Sequence, residues 1–60
     1  MKQIKLTAIG GSDVYINIDS ISSYCESSHG TAIFLQNGNK YSVKNDIGEV
    51  YRKILNAKES

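Results

Sequence analysis

The spacing of the apolar residues changes once along this chain, and that change limits the folds open to it. Early in the sequence apolar residues occupy alternate positions, as Ile4 and Leu6 do in one stretch and Ile16 and Ile18 in another. Alternation is the pattern of a β-strand with one buried face. From residue 47 onward apolar residues recur at intervals of three and four, the pattern of an amphipathic helix. The sequence therefore predicts a run of strands followed by one C-terminal helix.

Glycine and polar turn residues divide the chain before this helix into short segments, so the connections are short and local. Short connections favour an antiparallel sheet with one covered face. We predict an α+β fold, a single small antiparallel β-meander of four to five strands with one C-terminal amphipathic helix packed on one face. The predicted domain covers residues 1–60, with strands at about residues 3–9, 13–18, 21–26, 31–36 and 39–44 and a helix at about residues 46–57.

The predicted helix carries a wide apolar stripe, which we expect to cover one side of the sheet. Asn45 is the expected N-cap, because an asparagine oxygen accepts hydrogen bonds from the free N–H groups of a first helical turn. The stripe consists of Ile47, Val50, Tyr51, Ile54 and Leu55.

The Asn37-Gly38 pair predicts a hairpin, and its turn type sets which side chains share a face. A two-residue turn would pair Phe34 with Tyr41. A three-residue turn, with Gly38 left-handed in a bulge, would instead pair Ile33 with Tyr41. We favour the bulged register because it gives the helix the larger apolar platform. That platform consists of Ile33, Leu35, Tyr41 and Val43.

Either register leaves one apolar pair on the far side of the sheet, because residues 32–35 are apolar without a break. The bulged register leaves Ala32 and Phe34 there, and the two-residue turn leaves Ile33 and Leu35. Tyr15, and in one reading Tyr24, would share that far side. A second apolar face predicts packing against another chain. The candidate interface is therefore Phe34, Ala32, Tyr15 and Tyr24, with a homo-oligomer or a protein partner as the expected assembly.

The size and composition of the chain indicate how the protein is stabilised and in which compartment it acts. A chain of 60 residues buries little core, and domains of this size are often stabilised by a partner chain. Cys25 is the only cysteine, so no disulfide forms within the chain and a reducing compartment is expected. The sequence shows no secretory signal and no apolar run near the ~20 residues that span a bilayer. We expect a cytoplasmic protein with no membrane span.

Catalytic, metal and cofactor sites are not predicted. Cys25 and His29 have a metal-like spacing, but a zinc site needs more ligands than one cysteine and one histidine. The five glycines form no phosphate-binding motif, and no pair of carboxylates is arranged for acid–base chemistry. We therefore predict a protein that is not an enzyme and has no evident small-molecule substrate.

The alternative function is a small nucleic-acid-binding regulatory module. Lys40 and Lys44 flank Tyr41 on one predicted strand, and Arg52 and Lys53 lie on the predicted helix. Lysines beside exposed aromatic residues are typical of surfaces that bind single strands. The formal net charge is only +1, however, so the protein interface is favoured.

Several short motifs follow one another along nearly the whole chain. They are an Ile-x-Leu-Thr opening, a glycine turn, an Asn-x-Asp-x-Ile segment, an Asn-Gly turn and a Lys-Tyr-x-Val strand before the helix. In this order they resemble the FlbD/SwrD group of small bacterial flagellar proteins, and they are also similar to short uncharacterised proteins of bacteria and phages. The matching positions are Ile4, Leu6, Thr7, Gly11, Asn17, Asp19, Ile21, Ile33, Leu35, Asn37, Gly38, Lys40, Tyr41, Val43, Lys44, Glu49, Val50 and Ile54.

The resemblance implies a non-enzymatic accessory protein with a role in flagellar function or its regulation. Two segments depart from the pattern. Asn45-Asp46 stands where the family tends to have an acidic residue and a serine, and residues 26–30 are more polar than usual. The resemblance transfers no catalytic or binding residue.

Overall fold

A computed structural model describes residues 2–59 of the chain. Within this range it contains five antiparallel strands, one α-helix and one short 3-10 helix. The elements are β1 Gln3–Thr7, β2 Asp13–Asn17, the 3-10 helix Ile18–Ser20, β3 Ile21–Ser27, β4 Gly30–Leu35, β5 Lys40–Val43 and α1 Ile47–Glu59. The predicted α+β class, with strands before one C-terminal helix, is confirmed.

The strands form two sheets where a single meander was predicted. β1 pairs with β2, and a separate sheet has the order β3-β4-β5. A bridge between Ala8 and Val43 joins the two sheets. It is held by the Lys44 N–H, which donates to the Thr7 oxygen at 2.7 Å, and by the Ile9 N–H, which donates to the Ser42 oxygen at 3.3 Å. The two sheets are therefore joined by one short contact, between the end of β1 and the end of β5.

The hairpin between β4 and β5 has the bulged register. The Leu35 N–H donates to the Asn39 oxygen at 2.9 Å, and the Gly38 N–H donates to the Leu35 oxygen at 3.0 Å. Gly38 has a φ of 92°, the left-handed conformation that this turn requires of its glycine. Ile33 consequently lies opposite Tyr41, as predicted.

The core lies between the two sheets and α1, which packs chiefly against β1 and β4. All three layers contribute fully apolar side chains, each of which stabilises the fold by about 2 kcal/mol through its removal from water. The buried members are Ile4, Leu6, Ile16, Ile33, Val43, Val50 and Ile54.

A bulge in β3 changes which of its side chains face the core. Ile21 lies opposite Leu35 and Tyr24 lies opposite Ile33, although Ile21 and Tyr24 are three residues apart. The register shifts between Ile21 and Ser23, so one extra residue lets both side chains pack against the core. The placement of Tyr24 on the far side of the sheet was therefore wrong, because strict alternation does not survive the bulge.

A hydrogen-bonded asparagine connects β1, β4 and the start of α1. Asn45 Oδ1 accepts from the Thr7 N–H at 2.8 Å, and Asn45 Nδ2 donates to Glu49 Oε2 at 2.7 Å. The Asn45 carbonyl accepts from Thr31 Oγ1 at 2.8 Å. Thr31 is fully buried, so this bond satisfies a hydroxyl that water cannot reach.

The residue after this asparagine caps the helix. Asp46 Oδ1 accepts from the Glu49 N–H at 2.8 Å, and α1 begins at Ile47. The expectation that Asn45 is the N-cap was therefore wrong by one residue. The Asn45 side chain hydrogen-bonds to β1 instead, and the Asp46 side chain accepts from a backbone N–H of the first helical turn.

Gly30 allows the β5–α1 connection to pass close to the start of β4. Its φ is 151°, and a Cβ built on it would overlap the carbonyl oxygen of Val43 and the backbone of Lys44. Gly10 differs in both respects, because its φ is not positive and a Cβ there would meet nothing within 4 Å.

Gly30→Ala is therefore expected to destabilise the protein by about 3 kcal/mol, through overlap with backbone atoms and an unfavourable φ. Gly10→Ala is the matched control and should change stability by less than about 0.5 kcal/mol. Urea unfolding followed by circular dichroism measures both. Equal stability of the two variants would contradict the close approach at Gly30.

Asn45→Ala should cost about 2 kcal/mol, because it removes the acceptor of the Thr7 N–H and the partner of Glu49. Asn56→Ala, an exposed asparagine near the end of α1, serves as the control and should be close to neutral. Thermal unfolding of the two variants makes the comparison. A loss no greater than that of the control would show that Asn45 does not hold these elements together.

Candidate functional site

An apolar groove lies between α1 and β3, because α1 rests on β1 and β4 and leaves the face of β3 partly uncovered. We call it the α1–β3 groove; its volume is about 260 Å³. Its apolar lining consists of Ile18, Ile21, Tyr24, Tyr51, Ile54 and Leu55. Its polar lining consists of Ser22, Ser23 and Lys58.

The helix contributes two large apolar side chains that the fold does not bury. Tyr51 is 54 % exposed and Leu55 is 40 % exposed, whereas Val50 and Ile54 are 0 % and 9 % exposed. Tyr51 and Leu55 are four residues apart and so lie next to each other on one side of α1. The predicted stripe thus divides into a row buried in the core and a row that stays exposed in the groove.

β3 supplies the opposite wall of the groove. The bulge directs both Ile21 and Tyr24 toward α1, where they are half-buried. Ser22, within the bulge, donates from its hydroxyl to the Phe34 carbonyl at 3.1 Å. An apolar floor that includes Tyr24 and Tyr51 has the composition of a protein-binding surface, in which aromatic side chains are enriched.

The outward side of the sheets presents a smaller apolar surface than predicted. Phe34 is 37 % exposed and Tyr15 is 62 % exposed, but Ala32 is only 8 % exposed. Ala32 lies between its cross-strand neighbours Cys25 and Ser42, which shield its short side chain. Phe34 and Tyr15 lie in different sheets. Their role as an interface stays a prediction.

The four cations of the nucleic-acid alternative do not share one face. Lys40 of β5 lies opposite Phe34 of β4, and both side chains are on the outward side of the sheet. Lys53 and Arg52 lie on α1, which packs against the other side of the sheet. Lys53 Nζ is 4.0 Å from Glu49 Oε2, and Lys44 lies in the connection after β5. This division does not form the continuous basic groove that a nucleic-acid strand follows.

Cys25 and His29 are both exposed, in β3 and in the following turn. Among residues 2–59 no group of three or more histidine, cysteine, aspartate or glutamate side chains could hold a metal ion. The structure thus assigns no ligand to either side chain.

The exposed row of α1 is the part of the site that sequence reasoning missed. The signal was the width of the stripe, since pairs at 50–51 and 54–55 make two adjacent apolar rows. A helix that rests on one sheet buries a single face, and the second row needs other cover. The sequence alone did not show that β3 would leave this row open.

Comparison with known proteins identifies one matching protein family. A family model described as FlbD, flagellar and swarming motility proteins, matches residues 3–60. No curated protein and no solved structure matches the chain. In the part of the chain that the structure describes, the helices are too short or too polar to cross a membrane.

The two rows of α1 should differ in their effect on folding. Ile54→Ala is expected to cost about 3 kcal/mol, because it opens a cavity beside the core. Leu55→Ala, the adjacent residue with a side chain of the same size, should cost less than about 1 kcal/mol, since much of its surface already faces water. Chemical denaturation distinguishes them. Comparable losses would mean that Leu55 is part of the core.

Proposed function

Because the chain belongs to the FlbD family of flagellar and swarming motility proteins, we propose that it is a small non-enzymatic accessory protein that acts by binding another protein chain. One observation carries the binding mode. The α1–β3 groove exposes Tyr51 and Leu55 on a helix whose Val50 and Ile54 are buried in the core.

The composition of the groove favours a protein partner. Tyr24 and Tyr51 supply large, stiff side chains that bury much area at low cost in conformational entropy, and tyrosine is enriched among the residues that dominate binding energies. Apolar side chains left next to each other on the surface of a small protein mark interaction sites. Covering Tyr51 and Leu55 would also add to a core that is small in a chain of this length.

Phe34 and Tyr15 form the second surface for such binding. Phe34 is the less exposed of the two and lies beside Lys40. Since the two residues belong to different sheets, each would contact a partner separately. We rank this surface below the α1–β3 groove, where apolar side chains from two elements converge on one concave site.

We place this activity in the cytoplasm. A single exposed cysteine, Cys25, persists as a free thiol most readily in a reducing compartment. The partner can be a second copy of the chain or another component of the motility apparatus.

Complementation of a deletion strain tests the function and the site together. Deletion of the gene from the source organism should reduce the expansion rate of swarming or swimming colonies, and the wild-type gene should restore it. Leu55→Asp should restore little motility, because a buried carboxylate without a partner opposes docking in the groove. Asn56→Asp introduces the same charge one residue away on an exposed site and is the matched control, expected to restore motility.

Phe34→Asp separates the two surfaces in the same assay. Restoration by Phe34→Asp together with failure of Leu55→Asp would assign binding to the groove, and the reverse would assign it to the outward face. Circular dichroism of the purified variants shows that each is folded. Normal motility of the deletion strain would overturn the proposed function.

A further inference from the structure

The outer edge of β3 is open beside the α1–β3 groove. In residues 2–59 β3 pairs with β4 alone, so one edge of its backbone has no strand next to it. Such an edge presents a row of N–H and C=O groups that can pair with another strand. From Ser23 to Ser27 β3 has no bulge, lysine or proline, features that commonly protect an open edge.

The hydrogen bonds of β4 identify which residues of β3 point to this edge. The Leu35 N–H donates toward β5, to Asn39, and the Gln36 N–H donates toward β3, to the Ser20 oxygen at 2.8 Å. Alternation along β4 then directs Phe34 and Ala32 toward β3. The backbone N–H and C=O groups of their partners, Ser23 and Cys25, therefore point toward β4. Those of the alternate residues, Tyr24 and Glu26, point toward the open edge.

The bulge leaves one regular stretch of β3 available for pairing. The register is continuous from Ser23 to Ser27, and Cys25 is the middle residue of this stretch. We propose that two copies of this chain pair their β3 strands antiparallel about a two-fold axis at Cys25, which joins the two three-stranded sheets into one continuous sheet. The proposal deepens the proposed function, since it names the partner as a second copy of the chain.

Self-pairing about Cys25 matches the open backbone groups. Tyr24 of one copy lies opposite Glu26 of the other, and these are the two residues whose N–H and C=O groups face the edge. Each such pair exchanges both hydrogen bonds, as hydrogen-bonded antiparallel pairs do. A two-fold axis at Tyr24 would instead require Ser22, which lies in the bulge.

The side chains are also complementary in this register. Glu26, the only charged residue of β3, lies opposite a tyrosine and not opposite itself, so no like charges meet. Ser23 lies opposite Ser27, a pair that can hydrogen-bond across the strands. A second copy therefore fits the edge without an opposed pair of charges.

The pairing also supplies charge to the α1–β3 groove. Glu26 shares the α1 side of β3 with Tyr24, because they lie opposite Thr31 and Ile33, two residues apart on β4. Glu26 of the second copy would thus approach Tyr24 on the groove side. Lys58 lines the same groove, so the incoming carboxylate and this lysine carry complementary charges.

Crosslinking through the native cysteine tests the register. Cys25 would face its own counterpart in a non-hydrogen-bonded pair, where Cα atoms are about 4.5 Å apart and a disulfide can close. Full-length wild-type protein treated with copper phenanthroline should form a disulfide-linked dimer. The control is Ser23→Cys combined with Cys25→Ser, which moves the thiol two residues along β3 to another exposed position.

The control thiols would be about four residues, roughly 13 Å, apart across the axis. The wild type should therefore crosslink roughly tenfold faster, because pairing raises the local thiol concentration above that in bulk solution. Equal rates, or faster crosslinking of the control, would overturn the register.

Light scattering of the reduced protein tests the association without any crosslink. The wild type should reach about twice its monomer mass of 6.6 kDa as its concentration rises. Glu26→Pro should shift it toward the monomer, since proline removes an N–H that faces the open edge, and Glu26→Gln should not. If Glu26→Pro fails to fold, the crosslinking comparison decides.

The outcomes separate this inference from the proposed function. A monomeric wild type that crosslinks no faster than its control, with Leu55→Asp still defective in motility, would overturn self-pairing and leave a different protein as the partner. A dimer with the predicted register in a strain whose motility survives deletion of the gene would instead overturn the proposed function.

Discussion

Three hydrogen bonds of one asparagine hold the layers of this protein in place. Asn45 binds the Thr7 backbone in β1, accepts from the buried Thr31 hydroxyl in β4 and donates to Glu49 in α1. Core side chains alone position the layers loosely, because apolar attraction has no direction. Hydrogen bonds at 2.7 to 2.8 Å do have one, so they set where the helix starts relative to both sheets.

The position of the helix determines the surface that the protein offers. α1 starts beside β1 and β4 and runs over them, so Val50 and Ile54 enter the core while Tyr51 and Leu55 remain beside β3. β3 is an edge strand of its sheet, and the same placement of α1 leaves a groove along it. The hydrogen bonds of Asn45 thus fix the helix whose exposed side chains form the surface that we propose for binding.

Much of the architecture could be predicted from local patterns. Alternation, as at Ile4 and Leu6, predicted strands, and the spacing of Val50 and Ile54 predicted the helix. The register of the β4–β5 hairpin was favoured only by the larger apolar platform, because a left-handed Gly38 suits both the two-residue and the three-residue turn. The bulge in β3 has no comparable signal. Its sequence of small polar residues fits strict alternation equally well, and the side assigned to Tyr24 depended on that choice.

The sequence by itself determined that four to five strands precede one helix, and where the turns fall, since each depends on residues within a few positions of one another. Only the tertiary structure decided which apolar residues are core and which are surface. Tyr51 and Val50 are neighbours of similar apparent role in the stripe, yet they are 54 % and 0 % exposed. Burial depends on how far a sheet extends beneath a helix, which contacts between distant segments set.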